Sequence, residues 1–385
     1  MYRYVILQNI IAPYKTLLFN TLSLRMRDPF LVAYLSDTAG NRDWRVAREE
    51  IGFPFEVISP GREEEAAPLR VAAATYRLLV RHDPEVVVLG GYNYPAYWTG
   101  FWWARRRGRR VIVIVESHFL DRPRRQYAEW FKRALVSRCD AALVDGTKHR
   151  EYVASLGLPV EAIFIKNGTG PVDLEFFRLE VDRLRPDREG LCTRRGIPKR
   201  NFLFVGRFSP EKNIPVLLEA YRRIRAGGAD GWGLILLGDG PQRKEIEGIV
   251  SSRGIPDVWL PGFRQKEELP LYYVMSDALV LPSLSEPWGL VAIEAMAAGL
   301  PVLVSNRCGC YPDAVREGVN GFSFDPSDAG ALSGRMEIFS SGAVDLLAMG
   351  RESLAIVQEY GPQPCAGKFL EAFRYVESKE REPKA

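Results

Sequence analysis

The chain has 385 residues, 46% of them hydrophobic and 26% charged, with a formal net charge of +4. That length exceeds one ordinary core and predicts two domains, and the composition is that of a globular protein without low-complexity tracts or repeats. The longest aliphatic run is "VIVIV" at 111–115, too short to span a bilayer.

The N-terminal "YVILQN" reads as a buried strand, not as a signal peptide. Five sparsely spaced cysteines fit a reducing compartment. Together these predict a cytoplasmic protein, free or at the cytoplasmic face of a membrane. Cys308 and Cys310 lack companion ligands at metal spacing, so they read as two incidental loop thiols and no metal site is expected.

Apolar runs at 4–7, 30–35, 86–89, 111–115 and 141–144 alternate with helix-like stretches. Continuous apolar strands separated by helices predict a parallel sheet covered on both faces. The first loop, "QNIIAPYK", carries Asn9 and Lys15, candidates for contact with a phosphate or a second substrate. The stretch "YWTGFWWARRRGRR" places aromatics at 97, 98, 101 and 102 near one helix face. Two readings stay open there: an interfacial patch meeting anionic lipid, or a helix packed on the sheet with a solvated basic end. No recognised nucleic-acid-binding module accompanies the basic residues. "VIVIVESHFLD" ends a buried strand at Glu116 and His118; His82 and His149 have no comparable setting.

The stretch from 167 to about 190 is rich in Gly, Pro and charge and marks a domain boundary. The strand–helix alternation restarts at "NFLFVGR". We therefore expect an α/β chain of two Rossmann-like parallel-sheet domains facing a central cleft. The first covers 1–175, and a further helix is expected at 362–385, where Phe369, Leu370, Phe373 and Val376 recur at helical spacing. The second covers 190–361.

Three patterns in the second half carry chemistry. "FLFVGRFSPEKNIP" places Gly206, Arg207 and Lys212 on one strand-end loop, where two cations can clamp a diphosphate; Asn213 is a candidate helix cap. "LILLGDGPQR" ends a strand at Gly238, which alone signals only a turn. "SLSEPWGLVAIEAMAAGLPV" sets Glu286 before Trp288, Gly289 and Leu290, then Glu294 inside the following helix. The free amides of that first turn suit an anion, and the two carboxylates can accept hydrogen bonds from sugar hydroxyls. Taken singly, each of these groups also fits an ordinary exposed side chain.

In order, Gly-Arg-x4-Lys, Gly-Asp-Gly-Pro and Glu-x7-Glu followed by Ala-x-Ala-x-Gly-x-Pro resemble the retaining glycosyltransferases of family 4, which have the GT-B fold. The match is dense from about 201 to 325, including "REGVNGFSF", and holds in outline over the first half. The resemblance implies a nucleotide-diphosphate sugar donor, by family frequency a UDP-sugar, and a glycan or lipid-linked acceptor. By the same resemblance the helix at 362–385 is expected to cross back to the first domain. It implies that no cofactor or metal is required, the metal's role being filled by Arg207 and Lys212. It implies that Glu286 and His118 contact the donor sugar and Glu294 the ribose. Backbone amides at Trp288, Gly289 and Leu290 would face sugar and phosphate, and the loop at Phe263 the base. The first loop departs from many members in having no glycine. A sugar-nucleotide epimerase of the same fold and a two-lobed binding protein without activity are the rival readings.

Overall fold

The computed structural model describes residues 2–40 and 48–379. The backbone divides into two compact units. Unit 1 takes Met1–Phe119, Pro123–Pro171 and Pro362–Ala385, and unit 2 takes Leu120–Arg122 and Val172–Gly361.

Unit 1 is built on strands β1 (Tyr4–Gln8), β2 (Phe30–Thr38), β3 (Phe55–Arg62), β4 (Val86–Leu89), β5 (Arg110–Val115), β6 (Ala141–Val144) and β7 (Ile163–Ile165). Their order is β3-β2-β1-β4-β5-β6-β7, and every adjacent pair is parallel. Alternate side chains enter two cores: Val5 and Leu7 face one, Tyr4 and Ile6 the other. The strands carry unbroken apolar runs because helices cover both faces. The helix Pro362–Ser378 seals the second core with Phe369, Phe373 and Val376, while Leu370 packs partly buried at its edge.

Unit 2 follows the same plan with β8 (Arg200–Val205), β9 (Trp232–Leu237), β10 (Val258–Gly262), β11 (Ala278–Leu281), β12 (Val302–Ser305) and β13 (Gly321–Phe324), in the order β10-β9-β8-β11-β12-β13. The strand order reverses at the β1/β4 and β8/β11 pairs. Ligands of open parallel sheets bind beyond the carboxyl ends of strands at such switch points. Residues Gly206 to Lys212 leave β8, and Pro282 to Gly289 leave β11, so both candidate loops of the second half arise at one switch point.

The helix Pro95–Arg106 packs most of its aromatic face on the sheet, as the second of the two readings expects. Tyr97 and Phe101 are fully buried against the sheet, and of the predicted face only Trp102 is exposed. At the basic end Arg105 and Arg110 pair with Asp140, and Arg107 and Arg109 with Asp83, while Arg106 is exposed. No helix among the described residues is long and apolar enough to cross a membrane.

Candidate functional site

Arg207 and Lys212 sit on a short, heavily stitched turn. The Phe208 amide donates to the Asp239 carbonyl at 2.8 Å, and the Gln242 amide donates to the Phe208 carbonyl at 3.0 Å. Such backbone-to-backbone contact leaves no room for side chains. A Cβ on Gly238, at φ +146°, would lie 1.9 Å from the Gly206 carbonyl oxygen, and one on Gly240 would lie 2.5 Å from that of Phe208. The Gly-Asp-Gly turn is thus more than punctuation: it shapes the loop that bears both cations. The Gly238 amide donates to the Gly262 carbonyl at 3.1 Å, which ties in the third loop, where Phe263 is exposed.

Arg207 is exposed, and its guanidinium enters no ion pair among the described residues. Lys212 is largely buried and its ammonium contacts a Glu286 carboxylate oxygen, the same oxygen that accepts from Ser283 Oγ at 3.3 Å. Burial works to lower the Lys212 pKa, but the Glu286 charge outweighs it and the group stays firmly cationic. An ammonium has three donors; one serves Glu286 and the others remain for an anion.

Asn213 corrects the sequence reading. It stands at the N-cap position of the helix Ile214–Ala226 in the left-handed region, at φ 57°, and makes no side-chain cap. Its amide instead donates to the carbonyls of Pro282 (3.2 Å) and Pro326 (2.7 Å). It therefore anchors the Lys212 turn to the loop that leads to Glu286.

The helix Leu290–Ala297 starts at Gly289, whose φ of +101° is one that side chains rarely adopt. Trp288 is buried against Tyr360, with 6.0 Å between ring centroids. The Glu286 carbonyl accepts from the Gly309 amide (3.0 Å), and the Trp288 carbonyl from the Cys310 amide (2.9 Å). The segment from 308 to 310 thus backs the turn, with both thiols buried. The Ala292 amide closes the first turn on the Gly289 carbonyl at 2.9 Å, and helix starts of this kind can offer their remaining amides to an anion. Glu294, one turn deeper, is half-buried and accepts from Tyr273 Oη at 2.8 Å. Burial raises its carboxyl, opposed by the Tyr273 bond and by Lys266, and the balance leaves it pushed up to about 7.

The first-half candidates lie in unit 1 at the carboxyl ends of β1 and β5. Lys15 is buried; it donates to Gln8 Oε1 at 2.8 Å and pairs with Glu116 at 3.4 Å. Asn9 hydrogen-bonds Tyr94, which in turn bonds Glu63. His118 is fully buried, and its ring meets that of His149 edge-on at 5.0 Å. His149 therefore shares the setting that sequence reading gave to His118 alone. The Asp145 carboxylate lies 3.9 Å from His149, pairs with buried Lys166 and accepts from Thr169 Oγ1 at 3.0 Å. Sequence reasoning missed this cluster, as it missed Tyr273, because its members come from three separate segments, the loop after β5, the loop and helix after β6 and the loop after β7.

A sequence profile described as "Glycosyl transferases group 1" matches residues 195–352, and one described as "Glycosyl transferase 4-like domain" matches 27–168. The chain is 30% identical over 334 residues to a D-inositol 3-phosphate glycosyltransferase of Geodermatophilus obscurus, covering 75% of this chain and 69% of that protein. It is 31% identical over 215 residues to a 2-deoxystreptamine glucosyltransferase of Streptomyces kanamyceticus, where the match spans 52% of this chain and about half, 54%, of the relative's length. The crystal structure of Anabaena HepE in complex with UDP superposes with a TM-score of 0.76 at 18% identity, over 97% of this chain and all of that one, a likeness of fold. With two parallel sheets of this topology and two profiles of this kind, the chain belongs to the family 4 glycosyltransferases of the GT-B fold.

Proposed function

We propose that the protein is a retaining, metal-independent glycosyltransferase that moves a sugar from a UDP-sugar to a hydroxyl of a glycan or lipid-linked acceptor. The observation that carries this reading is the pairing of Lys212 with Glu286 beside the start of the helix Leu290–Ala297, with Arg207 on the same turn as Lys212. UDP as the leaving group draws support from the family and from the nucleotide named in the HepE complex.

Breaking the anomeric C–O bond leaves positive charge on the sugar and negative charge on the diphosphate. Arg207, Lys212 and the amides at Gly289 and Leu290 stabilise the diphosphate, which is the role a divalent ion plays elsewhere. Glu286, held by Lys212 and Ser283, faces the donor sugar, and Glu294 accepts from the ribose hydroxyls. Phe263 is assigned to the base and His118 to the sugar by their match to the family motif. Asn9 and Lys15 serve the acceptor or the phosphates.

The test is a panel of nucleoside diphosphate sugars incubated without acceptor. One donor is expected to release free nucleotide slowly, and the same nucleotide to bind most tightly in calorimetry. Silence from every donor, with no nucleoside diphosphate bound, would end the reading. With an acceptor in hand, NMR of the product should show the donor's anomeric configuration; inversion would remove the retaining assignment alone.

A further inference from the structure

The helix Gln126–Val136 in unit 1 is oriented against the usual rule. A surface helix normally turns its apolar stripe to the core. Here Leu135 and Val136 do so, but Tyr127, Trp130 and Phe131, spaced i, i+3, i+4, form a second stripe that faces outward. They are 62%, 64% and 54% exposed, and they are three of the seven strongly exposed aromatic residues among those described. Trp130 and Phe131 pack edge to face on each other at 4.9 Å.

The charge around this stripe is one-sided. From Pro123 to Arg138 the chain has five cations, Arg124, Arg125, Lys132, Arg133 and Arg138, against one carboxylate, Glu129. Glu129 is turned inward, where it pairs with Lys132 at 2.7 Å and with Arg124 at 3.5 Å and accepts from Tyr152 Oη at 2.7 Å. That leaves Arg125, Arg133 and Arg138 exposed at the ends and flank of the aromatic stripe. Aromatic side chains favour the headgroup level of a bilayer, and exposed cations are drawn to anionic headgroups. The helix Pro95–Arg106 lacks this combination, since its aromatics are mostly buried and Arg105, one of its two arginines, is paired with Asp140.

We infer that the outward face of the helix Gln126–Val136 docks the protein on an anionic lipid surface, with Tyr127, Trp130 and Phe131 entering the headgroup region and Arg125, Arg133 and Arg138 meeting the lipid charge. This goes beyond the transfer reaction and does not rest on the donor site.

The test uses the full chain, without sugar nucleotide, in sedimentation with vesicles of phosphatidylcholine alone or with roughly 30% phosphatidylglycerol, at low and high salt. Binding is expected only to the anionic vesicles and to weaken with salt. The doubly substituted Trp130→Ser, Phe131→Ser chain should bind at least tenfold less, as should Arg125→Glu, Arg133→Glu. All four positions are exposed, so both variants should keep the parent's circular dichroism. Absence of binding by the parent at low salt overturns the inference. So does equal binding by parent and both variants. A concentration-dependent dimer abolished by Trp130→Ser, Phe131→Ser, with no vesicle binding, assigns the face to a second copy of the chain instead.

Discussion

Glu294 offers the sharpest numerical test of the donor site. Its carboxyl ionises near 7 in the fold against 4.5 in an open chain, with burial as the largest cause. Below 4.5 it is protonated in both states and costs nothing. Between 4.5 and 7 the unfolded chain releases its proton first, so stability falls as pH rises. Above 7 the full penalty stands, roughly 3 kcal/mol for a gap of about 2.5 pH units. Glu294→Gln keeps the shape and can still accept from Tyr273, but it never ionises. The variant should therefore match the parent near pH 4 and melt higher at pH 8, by about 6–12 °C for a unit of this size. Function should move the opposite way. On the proposed reading, ribose hydroxyls donate to the ionised form, whose population rises roughly tenfold between pH 6 and pH 8 for a group at about 7. Nucleoside diphosphate affinity of the parent, divided by that of Glu294→Gln at each pH to cancel the ligand's own titration, should climb by up to that factor. A flat ratio, or melting curves that stay parallel from pH 4 to pH 8, would refute both the buried carboxyl and its ribose contact.

Arg207→Ala and Lys212→Ala should each lower kcat by about 10²–10³, the usual cost of one leaving-group donor; near-normal turnover in both would contradict the clamp. Lys212→Ala should also lower the melting temperature, since Glu286 is left largely buried without its cation, whereas Arg207→Ala should not. Gly238→Ala should destabilise by about 1–3 kcal/mol or more, because its Cβ would overlap the Gly206 carbonyl; Gly248→Ala, with open space around it in the helix Arg243–Ser252, should be neutral or stabilising by about 0.5–1 kcal/mol. Turnover should persist in EDTA; complete loss restored by Mg²⁺ would refute metal independence.

The central strands were legible in the sequence because burial on both faces demands unbroken apolar runs, as in "YVIL" and "VIVIV". Strands β3, β7 and β13 were not. All three lie at sheet edges, where half-solvated, mixed segments such as "FEVISPGR" suffice. Among the candidate site residues, Arg207, Lys212, Glu286 and Glu294 stood out as a motif, since each follows a strand end at fixed spacing. What the motif could not show is that Lys212 and Glu286, 74 residues apart, share a contact. Nor could it show that Asn213 spends its amide on Pro282 and Pro326 and not on its own helix. The outward stripe of Tyr127, Trp130 and Phe131 has the same helical period as a core stripe; only packing reveals which side the core occupies. Local spacing and strand burial are properties of short segments and are written in the chain. Pairing across distant segments, and the burial that raises the pKa of Glu294, depend on which loops and helices meet at a switch point, and folding alone settles that.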